Sequence, residues 1–147
     1  MADFKGERAC SLDAKGRLVI PARLREELGE RFVMTRWWEC VTIFPQGEWE
    51  RFKESLNAFS ALDEDADELK HYFISGAVDC ELDKMGRVGI PTHLMQDFEL
   101  GKEVVVAGMI DRVEIWNKAL WDEKKSPARR PEIRAKAKEL LRKAGRE

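Results

Sequence analysis

The sequence predicts an α+β fold in which two copies of one small unit share a single hydrophobic core. Three observations lead to this prediction: a segment that occurs twice, apolar residues that alternate along short strands, and helices that begin at proline and stop at glycine. The chain of 147 residues has room for one domain or two very small ones. A unit of about forty residues buries too little surface alone, so the copies are expected to pack together.

The duplicated segment is the strongest pattern in the chain. ACSLDAKGRLVIPARL from Ala9 matches DCELDKMGRVGIPTHL from Asp79 at an offset of seventy residues, and VTIFPQGEW from Val41 resembles VEIWNKALW from Val113 further on. The identical pairs are Cys10/Cys80, Leu12/Leu82, Asp13/Asp83, Gly16/Gly86, Arg17/Arg87, Ile20/Ile90, Pro21/Pro91 and Leu24/Leu94. Chance is a poor explanation for so many ordered matches, so the repeat organises the chain.

Each unit is predicted to consist of strand, turn, strand, helix, strand and strand. Asp13 and Gly16 occupy the first and fourth positions of a type I turn between the first two strands. Pro21 cannot donate to a sheet ladder but suits the first turn of a helix, and Gly29 is the expected stop of that helix. The remaining predicted elements of the first unit are strands 32–35 and 41–44 and a helix at about 48–56.

Four segments follow from the repeat and from the charge distribution. They are repeat 1 (7–50), a helical and acidic linker (51–76), repeat 2 (77–122) and a basic C-terminal tail helix (123–147). A helix is expected in the linker at 67–75, and the acidic block at 63–68, which overlaps its beginning, is interpreted as a solvated linker or a helix start. Residues 124–147 carry ten Lys/Arg and three Asp/Glu, a net of +7, which leaves −9 for residues 1–123 out of the total of −2. The apolar stripe of the tail is Ile133, Ala137, Leu140, Leu141 and Ala144.

Composition and motifs argue against several classes of protein. Cys10, Cys40 and Cys80 are odd in number and far apart, which disfavours a disulfide framework or a zinc site. No Ser-His-Asp, HExxH, GxGxxG or P-loop pattern occurs, and no apolar run approaches a membrane span. We therefore expect a cytoplasmic protein that is not an enzyme, with no catalytic residues, no metal, no cofactor and no membrane partner. The five tryptophans are expected in the core or between subunits.

The cations of the duplicated turns are the candidate binding residues. A tight turn requires its Asp and Gly but not Lys15 or Arg17, and long cations on an exposed turn suit phosphate oxygens and guanine edges. The arginines of the first helix are equally well explained as a solvated face. Because repeat 2 has His93 and Met95 at the positions of those arginines, its turn is expected to bind more weakly. The candidate DNA-binding residues are Asp13, Lys15, Arg17, Arg23, Arg25, Asp83, Lys84 and Arg87.

The pattern LDxKGRLxIP, spelled here LDAKGRLVIP and LDKMGRVGIP, resembles that of the MraZ family of bacterial transcriptional regulators, whose repeats are SpoVT/AbrB-like domains. The resemblance extends from Phe4-Lys5-Gly6 through HYFISGAV to the Glu-Ile-Trp strand near Trp116. It implies tandem swapped-hairpin repeats that interlock into one small β-barrel core with short helices. The family's DxxxR motif, which implies DNA contact, falls on Asp13 and Arg17 and on Asp83 and Arg87.

The same resemblance implies a function for the chain. It implies homo-oligomeric rings, association with the nucleoid, and sequence-specific binding to direct repeats in double-stranded promoter DNA. The implied outcome is repression of the protein's own division and cell-wall operon. The alternative is an AbrB-like module that binds protein or scaffolds a ring without recognising an operator.

Overall fold

The computed structural model describes residues 2–145, which contain eight β-strands and six α-helices in a mixed α+β arrangement. The strands are β1 (Glu7–Ser11), β2 (Arg17–Val19), β3 (Arg31–Arg36), β4 (Val41–Pro45), β5 (Val78–Glu81), β6 (Arg87–Gly89), β7 (Glu103–Gly108) and β8 (Val113–Asn117). The helices are α1 (Ala22–Leu28), α2 (Gln46–Asn57), α3 (Glu64–Phe73), α4 (Thr92–Asp97), α5 (Lys118–Lys124) and α6 (Arg130–Ala144), with a 3₁₀ turn at Pro127–Arg129. The predicted order of strand, turn, strand, helix, strand and strand occurs twice.

Six strands form one antiparallel sheet, in the order β1-β7-β8-β4-β3-β5. Each edge strand pairs with a strand of the other half of the chain: Cys10 of β1 lies opposite Val104 of β7, and Cys80 of β5 lies opposite Phe32 of β3. At the centre, β4 of the first half pairs with β8 of the second. The two halves therefore interlock through their backbone hydrogen bonds.

The two remaining strands, β2 and β6, pair only with each other and form a short antiparallel ribbon. Within residues 2–145 no ladder joins β1 to β5, so the six-stranded sheet is open and the predicted closed barrel is not observed. The turns explain this difference. The chain leaves each edge strand at a tight turn and continues into the separate ribbon, so the edges of the sheet gain no further partner.

A core shared by both halves lies on one face of the sheet. Leu18 of the ribbon, Leu94 of α4 and Ile115 of β8 are each fully buried in it. Burying a side chain of this size contributes about 1.5–3 kcal/mol. On the other face, Trp49 of α2 and Trp121 of α5 pack against separate clusters. The sheet thus has the ribbon with α1 and α4 on one side and α2 with α5 on the other.

Local sequence signals explain where the helices begin and end. Helix α1 follows Pro21 and ends at Gly29, whose φ of +80° is in the left-handed region, as predicted. Helix α3 begins at Glu64 and not at 67, because the Asp63 carboxylate caps it and accepts from the Asp65 N–H over 3.0 Å. The predicted linker helix therefore starts within the acidic block.

The tail helix α6 forms as predicted, but none of its residues is buried. Across residues 2–145, no helix has both the length and the apolar character needed to cross a membrane.

Candidate nucleic-acid interface

The first turn uses one carboxylate to orient Arg17. Asp13 Oδ1 accepts hydrogen bonds from the backbone N–H groups of Lys15 and Arg17, each at 2.9 Å, and Asp13 Oδ2 accepts from Arg17 Nε at 2.7 Å. The Gly16 N–H closes the turn by donating to the Asp13 carbonyl over 3.0 Å. Gly16 has a φ of +74°, which a residue with a Cβ adopts only with strain. Asp13 and Gly16 thus have the turn-forming roles that the sequence indicates.

The second turn repeats this geometry. Asp83 Oδ1 accepts from the backbone N–H groups of Met85 at 2.9 Å and Arg87 at 2.8 Å, and Oδ2 accepts from Arg87 Nε at 2.8 Å. Gly86 has the same φ of +74°. The chain therefore builds one arginine-presenting turn twice.

Each motif arginine uses its Nε for this contact and leaves its terminal amino groups free. Among residues 2–145, the Nη atoms of Arg17 and Arg87 have no hydrogen-bond partner. The backbone N–H and guanidinium of each arginine hold the pKa of the Asp13 and Asp83 carboxyls below their ordinary value. The carboxylates therefore stay charged at neutral pH. A guanidinium anchored at Nε retains both Nη groups as donors for a further acceptor.

The ribbon places both arginines on one exposed face. In its register, Arg17 lies opposite Gly89, and Arg87 lies opposite Val19. Residues two apart on a strand share a face, so these four residues point the same way. The intervening residues of both strands are buried in the core. Arg17 and Arg87 are diagonal neighbours, which places them about 7–8 Å apart on the ribbon.

A side chain from the opposite repeat covers each turn. Arg25 of α1 lies over Gly86, with Nη1 in the space that a Cβ at Gly86 would occupy. At the equivalent place, Met95 of α4 lies over Gly16, with Sδ 3.0 Å from the position of such a Cβ. The expectation that the second turn has fewer cations around it is therefore wrong. Because the repeats interlock, each short helix packs over the turn of the other repeat.

The structure brings together all but one of the predicted site residues. Lys15 and Lys84 are exposed on the two turns at either end of the ribbon. Arg23 is different: its Nη2 donates to the Lys5 carbonyl over 3.4 Å, beside the N-terminal segment. Arg23 and Arg25 are about 200° apart around the axis of α1, so one reaches a turn and the other points away from it.

Two exposed apolar residues on this surface were not predicted. Val19, which is 52% exposed, lies between the two arginines on the ribbon face, and Met85, which is 67% exposed, projects from the second turn. The signal for Val19 was present in the sequence, because it is two residues from Arg17 on a predicted strand. Met85 is the counterpart of Lys15, so the repeat alignment also indicated its place.

Cys40 is buried, and Cys10 and Cys80 are half-buried. Burial raises the pKa of the Cys10, Cys40 and Cys80 thiols, most strongly for Cys40. All three are free cysteines. In the part of the chain that the structure describes, no group of three or more His, Cys, Asp and Glu side chains could hold a metal ion.

Comparison with known proteins identifies the family. The family described as "MraZ protein, putative antitoxin-like" matches residues 4–71 and 73–143. A transcriptional regulator MraZ from Carboxydothermus hydrogenoformans is 47% identical over 120 residues, which cover 81% of this chain and 84% of the relative. Proteins of the same name from Caldanaerobacter subterraneus subsp. tengcongensis and Desulfitobacterium hafniense are 41% and 44% identical over 119 residues, which cover 80% of this chain and 83% of each relative. With a match over nearly the whole sequence and relatives this similar, the chain belongs to the MraZ family.

Proposed function

We propose that this protein is a transcriptional regulator that binds double-stranded DNA through the β2–β6 ribbon. The names of its relatives support the regulatory role. The observation that carries the DNA-binding role is a two-stranded ribbon that presents Arg17 and Arg87 on one exposed face, with Nη groups that have no partner within residues 2–145. The major groove of DNA admits a two-stranded ribbon, and arginine is the commonest reader of guanine there.

Each residue of the surface has a defined role in this proposal. Arg17 and Arg87 read base edges, with their Nη groups donating to guanine O6 and N7. The two turn aspartates position these guanidiniums and do not contact DNA. Lys15, Lys84 and Arg25 bind phosphates, which fix the position of the protein on the duplex but do not distinguish sequences. Arg23, the other arginine of α1, lies outside the contact surface. The proposed function involves no enzymatic step.

The proposal extends to the organisation of the chain. The pairing of β1 with β7 and of β5 with β3 supports a swapped-hairpin arrangement of the two repeats. Repeat 1 would span 7–50 and repeat 2 would span 77–122, with the linker 51–76 between them and the tail 123–147 after them. Several such chains would assemble into a homo-oligomeric ring.

The proposed target is a set of short direct repeats in the promoter of the protein's own division and cell-wall operon, which the protein would repress on the nucleoid. One ribbon with few cations on a chain of net charge −2 should bind a single DNA box weakly, and the slope of log K against log salt should be only about −3 for three phosphate contacts. When one subunit of an assembly is bound to one box, its neighbouring subunit is held close to the next box, which raises the effective concentration for the second binding event. Avidity can then exceed single-site affinity by about 10²–10⁴-fold without new contacts.

The experiment that tests this proposal measures binding to phased DNA boxes. Footprinting of the purified protein on its own upstream region should first reveal a protected direct repeat. Affinity is then compared for one box, for two boxes at their natural spacing, and for two boxes separated by an extra half turn of DNA. We expect two phased boxes to bind about 10²–10⁴-fold more tightly than one, and the half-turn insertion to remove this gain.

Two results would contradict the proposal. If no repeat is protected on the upstream DNA, the protein is better described as a protein-binding or ring-scaffold module that does not recognise an operator. If all three DNA arrangements bind equally, the subunits act independently and the ring mechanism is wrong.

A further inference from the structure

An open groove with an aromatic floor and an acidic rim lies where α3 approaches the loop between β3 and β4. Its floor includes the Trp38 and Tyr72 rings, which are 5.8 Å apart and parallel to within 14°, together with Leu69. Its rim carries Asp65 and Glu68, and the cavity has a volume of about 690 Å³. Trp38 is 61% exposed, although large aromatic side chains usually find cover. A concave apolar surface with a projecting tryptophan is typical of protein interaction sites.

The groove is held in shape by contacts within the chain. The Tyr72 hydroxyl donates to the Trp37 carbonyl, and the Arg36 guanidinium lies 5.9 Å from the centre of the Tyr72 ring. Arg36 also lines the groove, but its charge is paired with Asp97, with Nε 2.8 Å from the carboxylate oxygen. The acidic rim is therefore not neutralised by Arg36. A preformed aromatic floor reduces the entropy cost of binding.

The tail helix α6 has the complementary surface. Its apolar residues Ile133, Leu140 and Leu141 are 50%, 66% and 73% exposed, and none of them belongs to the core clusters formed within residues 2–145. At 100° per residue, Arg134 and Lys136 border this apolar stripe on opposite sides. The helix thus presents an apolar strip between two rows of positive charge.

We infer that α6 of one copy docks in this groove of a second copy. The apolar stripe would cover the floor at Trp38 and Tyr72, while Arg134 and Lys136 would face the rim carboxylates. The charge of the whole chain is divided in the same way, with +7 in residues 124–147 and −9 in residues 1–123. This inference deepens the self-association proposed above and does not depend on DNA recognition.

Two alternative occupants fit less well. DNA would leave the leucines of α6 uncovered, and the acidic rim of the groove would repel it. Docking of the helix in the groove of its own chain is not observed, because every residue of α6 is exposed while the groove stands open. The groove of a second copy offers an apolar surface that can cover the stripe of α6 and negative charge that can pair with its cations.

The test uses the full chain and analytical ultracentrifugation without DNA. Leu140→Asp disables the tail, and Trp38→Ala disables the groove. Ala135→Asp is the matched control, because it adds the same charge on the side of α6 opposite the stripe. We expect each disabling variant to weaken association about 30-fold or more, as loss of a buried interface anchor does, while the control assembles like the wild type.

Mixing the two disabled variants separates docking between copies from docking within one chain. The Trp38→Ala chain keeps a working tail and the Leu140→Asp chain keeps a working groove, so a 1:1 mixture should form a two-chain species that neither variant forms alone. The inference is overturned if the mixture stays monomeric, if Leu140→Asp assembles like the wild type, or if the wild type is itself monomeric. Both variants retain the ribbon, so binding to a single DNA box should be unchanged, and failure of this inference is distinguishable from failure of DNA binding.

Discussion

The two arginine turns of the ribbon share one backbone geometry but have different surroundings. The distances from Asp13 to the donors of Arg17 and from Asp83 to those of Arg87 agree to within 0.1 Å. Over the second turn, however, lies a guanidinium from the first repeat, whereas a thioether from the second repeat covers the first turn. The duplicated sequence therefore reproduces the local geometry of the turn. Because the repeats interlock, however, the side chain that covers each turn comes from the other repeat.

This difference makes the two ends of the ribbon electrostatically unequal. The second turn presents Lys84, Arg87 and the crossing Arg25, whereas the first presents Lys15 and Arg17 beside Met95. If the ribbon binds DNA, the end nearer the second turn should hold the phosphates more firmly. The predictions below test this asymmetry, beginning with the largest expected effect.

Removing the motif arginines should have the largest effect on DNA binding. Arg17→Ala and Arg87→Ala should each weaken binding to one box by about 1–3 kcal/mol, and the double variant should show the largest loss. Thermal unfolding should change little, because these ion pairs are only partly buried and each aspartate keeps its hydrogen bonds from the backbone N–H groups of the turn. Fluorescence anisotropy with a labelled box and thermal melts give the two readouts.

The two single variants also show which turn contributes more to DNA affinity. We expect the loss at Arg87 to be at least as large as the loss at Arg17, because Arg25 adds to the second turn. A clearly smaller loss at Arg87 would restore the ranking expected from sequence alone. A large drop in melting temperature for either variant would show that the arginine serves folding.

Exchanging Arg25 and Met95, the side chains that cover the two turns, should move the extra positive charge from the second turn to the first. Arg25→Met should lower affinity and reduce the dependence of log K on log salt by about 1, because one phosphate contact is lost. Met95→Arg should have the opposite effect. Binding is measured by titration at several salt concentrations.

Arg23→Met is the matched control for this exchange, since it removes the same charge from the same helix on the side away from the turn. An equal effect of Arg23→Met and Arg25→Met would mean that only net charge matters. The double variant Arg25→Met/Met95→Arg should bind nearly as the wild type does.

The smallest expected effect is in the titration of the two turn aspartates. NMR should find both carboxyl pKa values below the ordinary value of about 3.9, since hydrogen bonds from the motif arginines favour the charged form. The stability that these carboxylates provide is then complete above the unfolded pKa and is lost as pH falls through the lower folded pKa. Arg17→Ala should raise the pKa of Asp13 and leave that of Asp83 unchanged. Equal shifts at both sites would show that the turns are coupled.

Local signals account for the elements that the sequence predicted well. Pro21 and Gly29 bound α1, and Asp13 with Gly16 defines the first turn, because these conformations depend on the residue itself and its near neighbours. The apolar spacing in the tail predicted α6 for the same reason. The arginines at the ribbon followed from the repeat, since each lies at a fixed distance from its turn.

The features that sequence reasoning missed depend on residues distant in the chain. Nothing local indicates that β1 pairs with β7 across more than ninety residues, or that Arg25 lies over Gly86. Arg23 and Arg25 look alike in the sequence, and only the packing of α1 separates their roles. The sequence also did not indicate which tryptophans lie in the core and which between subunits, and Trp38, at 61% exposed, lies outside the core of its own chain.

The pairing of β1 with β7 also has a consequence for how the protein is made. Ribosomes add about 5–20 residues per second, so β1 emerges roughly 5–20 s before the strand that will pair with it exists. During that interval its backbone N–H and C=O groups have no partner in the sheet, and an unpaired strand invites aggregation with neighbouring nascent chains. The first repeat can begin to form turns and short helices while it is being synthesised. The six-stranded sheet can be completed only after β7 and β8 have been synthesised.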